Sequence, residues 1–321
     1  MQAGIIGTGY AARARARALQ ADGRAELAWV VGRTATTVTA FAEEFGVQGR
    51  LDIPEALRDP AVALVFICTA NHTHSAWVEA GLLAGKHVVV EYPLALEYKT
   101  GVALAELAAR QGRLLHVEHI ELLSPIHQNL RAGLAQVGEP LYVRYSTQTA
   151  TRPAPQRWSY HPLQFGFPLV GAVSRLQRLI DLVGPVAQVS CESRYLMRGE
   201  YFHTCYCAAL LQFQGGAVGE VVFAKGEGIW QSELFLSVQG TLGGVVLAGN
   251  TITVTTAAGE QTLAAGERQG LFLRDTQAVL DYLLGGVPLY MSLAADLRGL
   301  RVASACAESA ASGKSVAIHG S

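Results

Sequence analysis

The sequence predicts an α/β first half with a parallel sheet, followed by an α+β second half built on a large, mostly antiparallel open sheet. Three observations lead there. Short apolar strands alternate with helical stretches from Ala3 to Val117, the pattern of βαβ units. A glycine-rich turn separates the first strand from the first helix. Beyond Gly138 the helical period gives way to period-2 segments, several separated by Gly-Gly or Gly-Asn turns as in an antiparallel meander. At 321 residues the chain exceeds one typical core, so two domains are expected. We place them at 1–123 and 124–321, with the C-terminal helices free to pack back on the first.

The first strand is Ala3-Gly-Ile-Ile, and Gly7-Thr8-Gly9-Tyr10-Ala11-Ala12 follows it as GxGxxA before an alanine-rich helix. Gly7 suits a tight turn, Gly9 lets a pyrophosphate approach the backbone, and Ala12 allows close helix–strand packing. The free amides at the helix start then meet the phosphates, with Thr8, Tyr10 and Ala11 beside them. This is a Rossmann-type dinucleotide site; the plain alternative is a structural glycine turn. The second strand, Glu26 to Val31, ends in Gly32-Arg33-Thr34-Ala35-Thr36, with no carboxylate to hold a ribose hydroxyl. Arg33 and Thr34 there suit a 2′-phosphate, which points to NADP(H) over NAD(H), unless Arg33 is only a solvated side chain.

Helices over Thr37–Phe45 and Ile53–Leu57 lead to the strand Ala63 to Cys68. Thr69, Ala70 and Asn71 follow it and can line the nicotinamide ribose, and His74 opens the next helix. Val88 to Val90 is a β-branched run suited to a buried strand, and it ends in Glu91-Tyr92-Pro93, where the proline forces a turn. After a helix from Tyr98 to Gln111, the strand Leu114 to Val117 runs into Glu118-His119. Two consecutive strands thus carry Glu91, Tyr92, Glu118 and His119 to one carboxyl-end rim, where ligands bind in open α/β sheets. Ordinary rim hydrogen bonding is the bland alternative for each.

The second half opens with an alternating stretch, Leu141 to Gln148, then the polar segment Arg152 to Trp158. A helix is expected over Leu169–Val183, then strands over Gln188–Arg194, His203–Gln214, Ala217–Ala224, Glu233–Gln239, Gly244–Ala248 and Thr251–Thr256. Helices over Leu273–Leu284 and Leu293–Ala311 close the chain. Hydrophobic residues make up 50% and charged residues 16%, which suits a large buried sheet and excludes a disordered chain. A net charge of −1 with no basic run speaks against nucleic acid, and no apolar run reaches the roughly 20 residues of a membrane span. Five scattered cysteines favour reduced thiols in a cytoplasm. Cys205 and Cys207 share a strand face, and buried thiols are the expectation there, with no metal.

A nucleotide-binding half followed by a helix and an open antiparallel sheet resembles the Gfo/Idh/MocA oxidoreductase family. In that family the strand end occupied here by Val88–Val90 reads Glu-Lys-Pro, with the lysine in proton transfer, and a second-domain helix carries Asp and His four apart. This chain has Tyr92 for the lysine, and Ser174 and Arg178 for the acid and the histidine, so sugar-alcohol oxidation is not implied. Glu91-Tyr-Pro-Leu94, Leu115-His-Val-Glu-His-Ile-Glu-Leu-Leu123, Pro153 to Trp158, Gln164 to Leu169 and Gly270-Leu-Phe272 are similar instead to the biliverdin reductases, in their cyanobacterial branch. The resemblance covers nearly the whole chain. It implies reduction of biliverdin IXα, a linear tetrapyrrole, to bilirubin IXα with NADPH, NADH being the weaker donor. The composition and cysteine usage add the expectation of a cytoplasmic enzyme with no nucleic-acid or membrane partner, and a homo-oligomer is compatible with both. Trp158 is placed with the cofactor-binding residues.

The implied chemistry puts a hydride on the central methine carbon and a proton on a pyrrole nitrogen. Arg175 and Arg178 are three apart on one helix face. With a pKa above about 12, an arginine holds a water or the lactam and stabilises charge rather than giving up its own proton. Arg175 is the first candidate and Arg178 the alternative; pairing with Asp181 or a propionate is the plain reading of both. His119 can donate a proton near neutral pH. Asp275 either orients Arg175 or a water, or caps a helix. Tyr92 is expected to pack near the nicotinamide without serving as an essential acid, given a reference pKa near 10.

Overall fold

The chain opens with β1 (Gln2–Ile6), α1 (Tyr10–Asp22), β2 (Glu26–Val31), α2 (Ala35–Phe45), β3 (Gln48–Arg50), α3 (Ile53–Leu57), β4 (Val62–Ile67), α4 (His74–Leu83), β5 (His87–Glu91), α5 (Tyr98–Gln111) and β6 (Leu115–Glu118). The computed structural model describes residues 1–264, 266 and 268–318. They form two compact units: Met1–Leu123 with Gln269–Leu297, and Ser124–Arg268 with the chain from Arg298 onward.

The six strands of the first unit are all parallel, in the order β3-β2-β1-β4-β5-β6. The order reverses between β1 and β4, so the connections after these two strands diverge and leave a crevice at the carboxyl edge. Registers align that edge: Ile6 lies beside Val31 and Ile67, and Glu91 beside Glu118. Both faces of the sheet are apolar. Ile5, Val30, Phe66 and Val89 pack on one side with Phe41 and Leu19, while Ile6, Val65, Val88 and Val90 pack on the other with Leu82 and Leu104. That double burial explains why these strands read as uninterrupted Val/Ile/Leu runs.

The second unit follows with α6 (Pro125–Leu134), β7 (Pro140–Ala150), α7 (Pro162–Phe165), α8 (Pro168–Gly171), α9 (Ser174–Val183), β8 (Val186–Arg198), β9 (Tyr201–Phe213), β10 (Val218–Gly226), β11 (Glu233–Gly240), β12 (Gly243–Ala248), β13 (Thr251–Thr256) and β14 (Gly259–Ala264). Then come α10 (Leu271–Gly285), which belongs to the first unit, α11 (Leu293–Ser312) and β15 (Val316–Ala317). The nine-stranded sheet runs β14-β13-β12-β11-β7-β10-β9-β8-β15. All its pairs are antiparallel except β7 with β10.

Two expectations need correction. The strands do not form a simple meander, because β7 inserts between β10 and β11. The helix expected over Leu169–Val183 is two helices, broken where Ala172 closes one turn onto the Pro168 carbonyl and Ser174 starts the next. The chain after Leu123, given no element from sequence, forms a helix, α6, started by Ser124, whose hydroxyl accepts from the His127 amide at 3.2 Å, with Pro125 in its first turn. No helix among the described residues is long and apolar enough to cross a membrane.

Gly4 shows how tightly the first sheet is filled. A β-carbon there would sit 2.3 Å from the ring of Trp29, its register partner, which is fully buried. Gly4→Ala should therefore cost about 1–3 kcal/mol in urea unfolding, the scale of overpacking. Adding Trp29→Phe should recover part of that loss; fully additive losses would contradict the contact.

Candidate active site

The carboxyl edge of the parallel sheet carries the glycine turn. Gly7 has φ +123°, and its amide donates to Val31 O at 2.7 Å. A β-carbon there would lie 2.3 Å from Cys68 O, so only glycine fits. Gly9 is different: it sits at the start of α1 with nothing within 4 Å of a built β-carbon. No side chain caps α1 among the described residues, and Ala12 is buried against the strand behind it. Exposed backbone amides at the head of a 13-residue helix, with open space before them, make a cradle for a phosphate. Thr8 and Ala11 are half-buried at this turn and Tyr10 is exposed, its ring 6.1 Å from that of Phe272. Arg33 and Thr34 stand exposed after β2, with the Thr34 hydroxyl 2.8 Å from that of Thr37.

The turn after β4 is braced by a histidine. His74 is fully buried, its Nδ1 2.8 Å from Pro93 O and its Nε2 3.1 Å from Thr69 O. It ties the loop after β4 to the loop after β5, and burial holds its pKa below the ordinary value. His74 is thus placed to position Thr69 and Tyr92 rather than to face a ligand. Thr69 accepts from the Thr73 hydroxyl at 2.8 Å, Ala70 is half-buried, and Asn71 is buried.

Beneath the rim lies a charged network with no obvious sequence signature. Arg15, in α1, is fully buried between the rings of Phe66 (5.4 Å) and Phe272 (5.0 Å). Its guanidinium donates to Asp275 Oδ2, to the Thr276 hydroxyl at 3.2 Å and to Glu91 Oε1 at 3.3 Å. Burial works against its charge, but Asp275 and Glu91 hold its pKa above the ordinary arginine value. The other Asp275 oxygen accepts from His116 Nε2 at 2.8 Å and from the Tyr290 hydroxyl at 2.7 Å. Against the opposing effect of burial, Arg15 and His116 keep Asp275 below the usual carboxylate range. The helix carrying Asp275 starts after Gly270, so Asp275 is not a cap; its oxygens hold Arg15, His116 and Tyr290.

Glu91 and Glu118 meet across β5 and β6. Burial, then the neighbouring Glu91 charge, pushes Glu118 well above the ordinary range, and burial raises Glu91 as well. The pair keeps a proton at a pH where free glutamates have lost theirs. His119, expected at the rim, is buried: its Nε2 is 2.9 Å from Asp296 Oδ1, its amide donates to the Tyr290 hydroxyl at 3.0 Å, and its ring stacks on Tyr92 at 5.6 Å. It is a platform for the Tyr92 ring.

The second unit separates the two candidate arginines. Arg178 is buried, donating to the Tyr145 hydroxyl at 3.0 Å and to His127 Nδ1 at 3.4 Å, and His127 Nε2 is 2.7 Å from Asp181 Oδ2. This is an internal strut. Arg175 is half-buried at the head of α9, its Nη1 2.9 Å from the Ser174 hydroxyl and its guanidinium 5.9 Å from the Phe223 ring. A row of rings runs from there: Phe223 stacks on Phe165 at 6.1 Å, and Phe165 lies 6.4 Å from Trp158, which is 38% exposed. Trp158, assigned from sequence to the cofactor, belongs to this row in the second unit.

Residues 1–119 match the model of the oxidoreductase family with NAD-binding Rossmann fold, and residues 134–318 match that family's C-terminal α/β domain. The chain belongs to the Gfo/Idh/MocA oxidoreductase family. Among solved structures of this family, it is 46% identical to biliverdin reductase in complex with biliverdin and NADP+ from Synechocystis sp. PCC 6803, at a TM-score of 0.94, covering 97% of this chain and 99% of that one. Biliverdin reductase A of Mus musculus is 29% identical over 238 residues, 74% of this chain and 72% of the relative. An NAD-binding oxidoreductase from Klebsiella pneumoniae shares the fold at 21% identity and a TM-score of 0.86, covering 100% of both chains.

Sequence reasoning missed Arg15 and Lys225. Arg15 lies three residues beyond Ala12 and four before Leu19, on the buried stripe of α1, and Lys225 lies two beyond Phe223 on the inward parity of β10. A charge at a core position was the available signal in both.

Removing Arg15 leaves Asp275 and Glu91 buried without their partner. Arg15→Met should cost about 3–5 kcal/mol in urea unfolding. The raised Glu118 gives a signed pH test. The folded state binds more protons than the unfolded one from about pH 4.5 upward, so this carboxyl makes stability fall as pH rises through that window. Glu118→Gln should gain stability relative to the parent at pH 8 compared with pH 5; a difference that does not change with pH would contradict the assignment.

Proposed function

We propose that this chain is an NADPH-dependent biliverdin reductase, converting biliverdin IXα to bilirubin IXα at the central methine bridge. The carrying observation is the near end-to-end match to the cyanobacterial biliverdin reductase. The residues fit the cofactor: the Gly7 turn and the uncapped start of α1 suit a pyrophosphate, and Arg33 with Thr34 suits a 2′-phosphate. Thr69, Ala70 and Asn71 belong to the ribose and nicotinamide end, and Tyr92, held flat by His119 and by the His74 brace, is assigned to pack there. When bound, the nicotinamide supplies the hydride.

The protein's share is orientation and charge. Hydride addition sends electron density through the conjugated bilin, and a fixed cation stabilises that charge best in the transition state. Arg175 is assigned this role, since it is half-buried whereas Arg178 is buried with its Nε on His127 and its Nη1 on Tyr145. The proton has a titratable reserve in the Glu91–Glu118 pair, of which Glu91 is the partly exposed member. The ring row Trp158–Phe165–Phe223 suits a broad, flat, apolar substrate.

The direct test is an anaerobic absorbance record of the protein with biliverdin and NADPH. The long-wavelength biliverdin band should decay as a bilirubin band grows; an unchanged spectrum would refute the reading. Arg33→Asp should weaken NADPH far more than NADH, and equal changes would remove the 2′-phosphate assignment. Arg175→Ala should lower turnover about a hundredfold or more with NADPH affinity nearly intact. Unchanged turnover with only a raised KM would make Arg175 a binding clamp.

A further inference from the structure

β10 places Phe223 and Lys225 on one face of the large sheet, so a lysine occupies a position whose parity belongs to the core. Its Nζ donates to Ser159 O at 2.5 Å. Four rings surround it, with centroids at 3.6 Å (Phe165), 4.8 Å (Tyr160), 5.3 Å (Phe202) and 5.7 Å (Phe223). Arg157 shares two of these neighbours: its Nε donates to the Ser159 hydroxyl at 3.0 Å, and its guanidinium lies 5.9 Å from the Tyr160 ring. Arg175 lies beyond the Phe223 ring.

Three cations therefore cluster around one aromatic box. Among the described residues, no bond of Lys225 or Arg157 goes to a carboxylate. Burial, together with the charges of Arg157 and Arg175, pulls the Lys225 pKa down to about 8. Such a concentration of like charge disfavours itself and favours an incoming anion. Beside it, the exposed Trp158 ring lies 6.4 Å from that of Phe165, so the anion's neighbour is an apolar ring.

We propose that Lys225 and Arg157 form a carboxylate subsite that takes one propionate of the bilin, with Lys225 the residue that selects the free acid over an uncharged analogue. The proposal rests on the reading of the protein as a biliverdin reductase. The ligand class it defines is an organic carboxylate attached to a flat apolar body. Arg157 is exposed and free to close on the carboxylate, whereas Lys225 is pre-positioned by Ser159 and the rings.

The test is an absorbance titration of the NADP+-saturated protein with biliverdin and with biliverdin dimethyl ester, whose propionates are capped. Lys225→Met should weaken the diacid about tenfold, the scale of one charge-assisted hydrogen bond, and the diester less than about twofold. Lys225→Arg should keep diacid affinity within about threefold of the parent. Equal weakening of both ligands would show a structural role and overturn the subsite, as would no weakening of either. The parent's turnover with NADPH separates the two claims. Turnover with diacid binding indifferent to Lys225 overturns the subsite alone. Diacid binding that depends on Lys225 without any turnover keeps the subsite and overturns the enzymatic reading. A parent that neither binds nor reduces biliverdin overturns both.

Discussion

Arg15 is the constraint on which the first unit depends. It carries a charge into the core from α1 and is bound by Asp275 of α10 and Glu91 of β5. Three segments far apart in the chain thus converge on one guanidinium. Buried charge of this kind is a weak source of net stability, because desolvation offsets the Coulombic gain. What it does supply is register. Helix α1, the strand that ends in Glu91-Tyr92 and the helix after Gly270 cannot shift without leaving a charge unpaired. The glycine turn before α1 is therefore fixed to the rim that carries Tyr92.

The same network sets the electrostatics of the rim. Asp275 is held ionised by Arg15, His116 and Tyr290, so it has little capacity to act as an acid. Glu118, at the end of β6, moves in the opposite direction because it is buried beside another carboxyl. Two environments drive two kinds of carboxyl apart, one permanently charged and one proton-bearing, which is how a single site can hold both a counter-ion and a proton reserve.

Much of this was legible in the sequence. α3, α4 and α5 begin where their caps, prolines or polar starts place them, and the βαβ alternation yields the parallel sheet because buried strands show as continuous apolar runs. Gly7 is legible because its place after the strand encodes a steric demand that the Cys68 carbonyl confirms. Other features were illegible for stated reasons. β14 carries mostly exposed, polar side chains and so lacks an apolar alternation. β3 and β15 are too short to show a period. The insertion of β7 between β10 and β11 is a long-range pairing that no local pattern encodes. The sequence ranks Arg175 ahead of Arg178, but a spacing of three on one helix face does not reveal their different surroundings. Tyr145 and His127, both distant in sequence, engage one of them and leave the other half-buried against Phe223.

The central claim is that the residues at this rim direct a hydride from a reduced nicotinamide onto the central bridge of a bilin. The measurement that tests it most directly is the fate of a label: stereospecifically deuterated NADPH, one hydride position at a time, incubated anaerobically with the protein and biliverdin. The account predicts that one of the two labelled forms, and not the other, delivers its deuterium to the central methylene carbon of the product, read by mass spectrometry and proton NMR. Product without deuterium from either form, or deuterium at any other carbon, would contradict it.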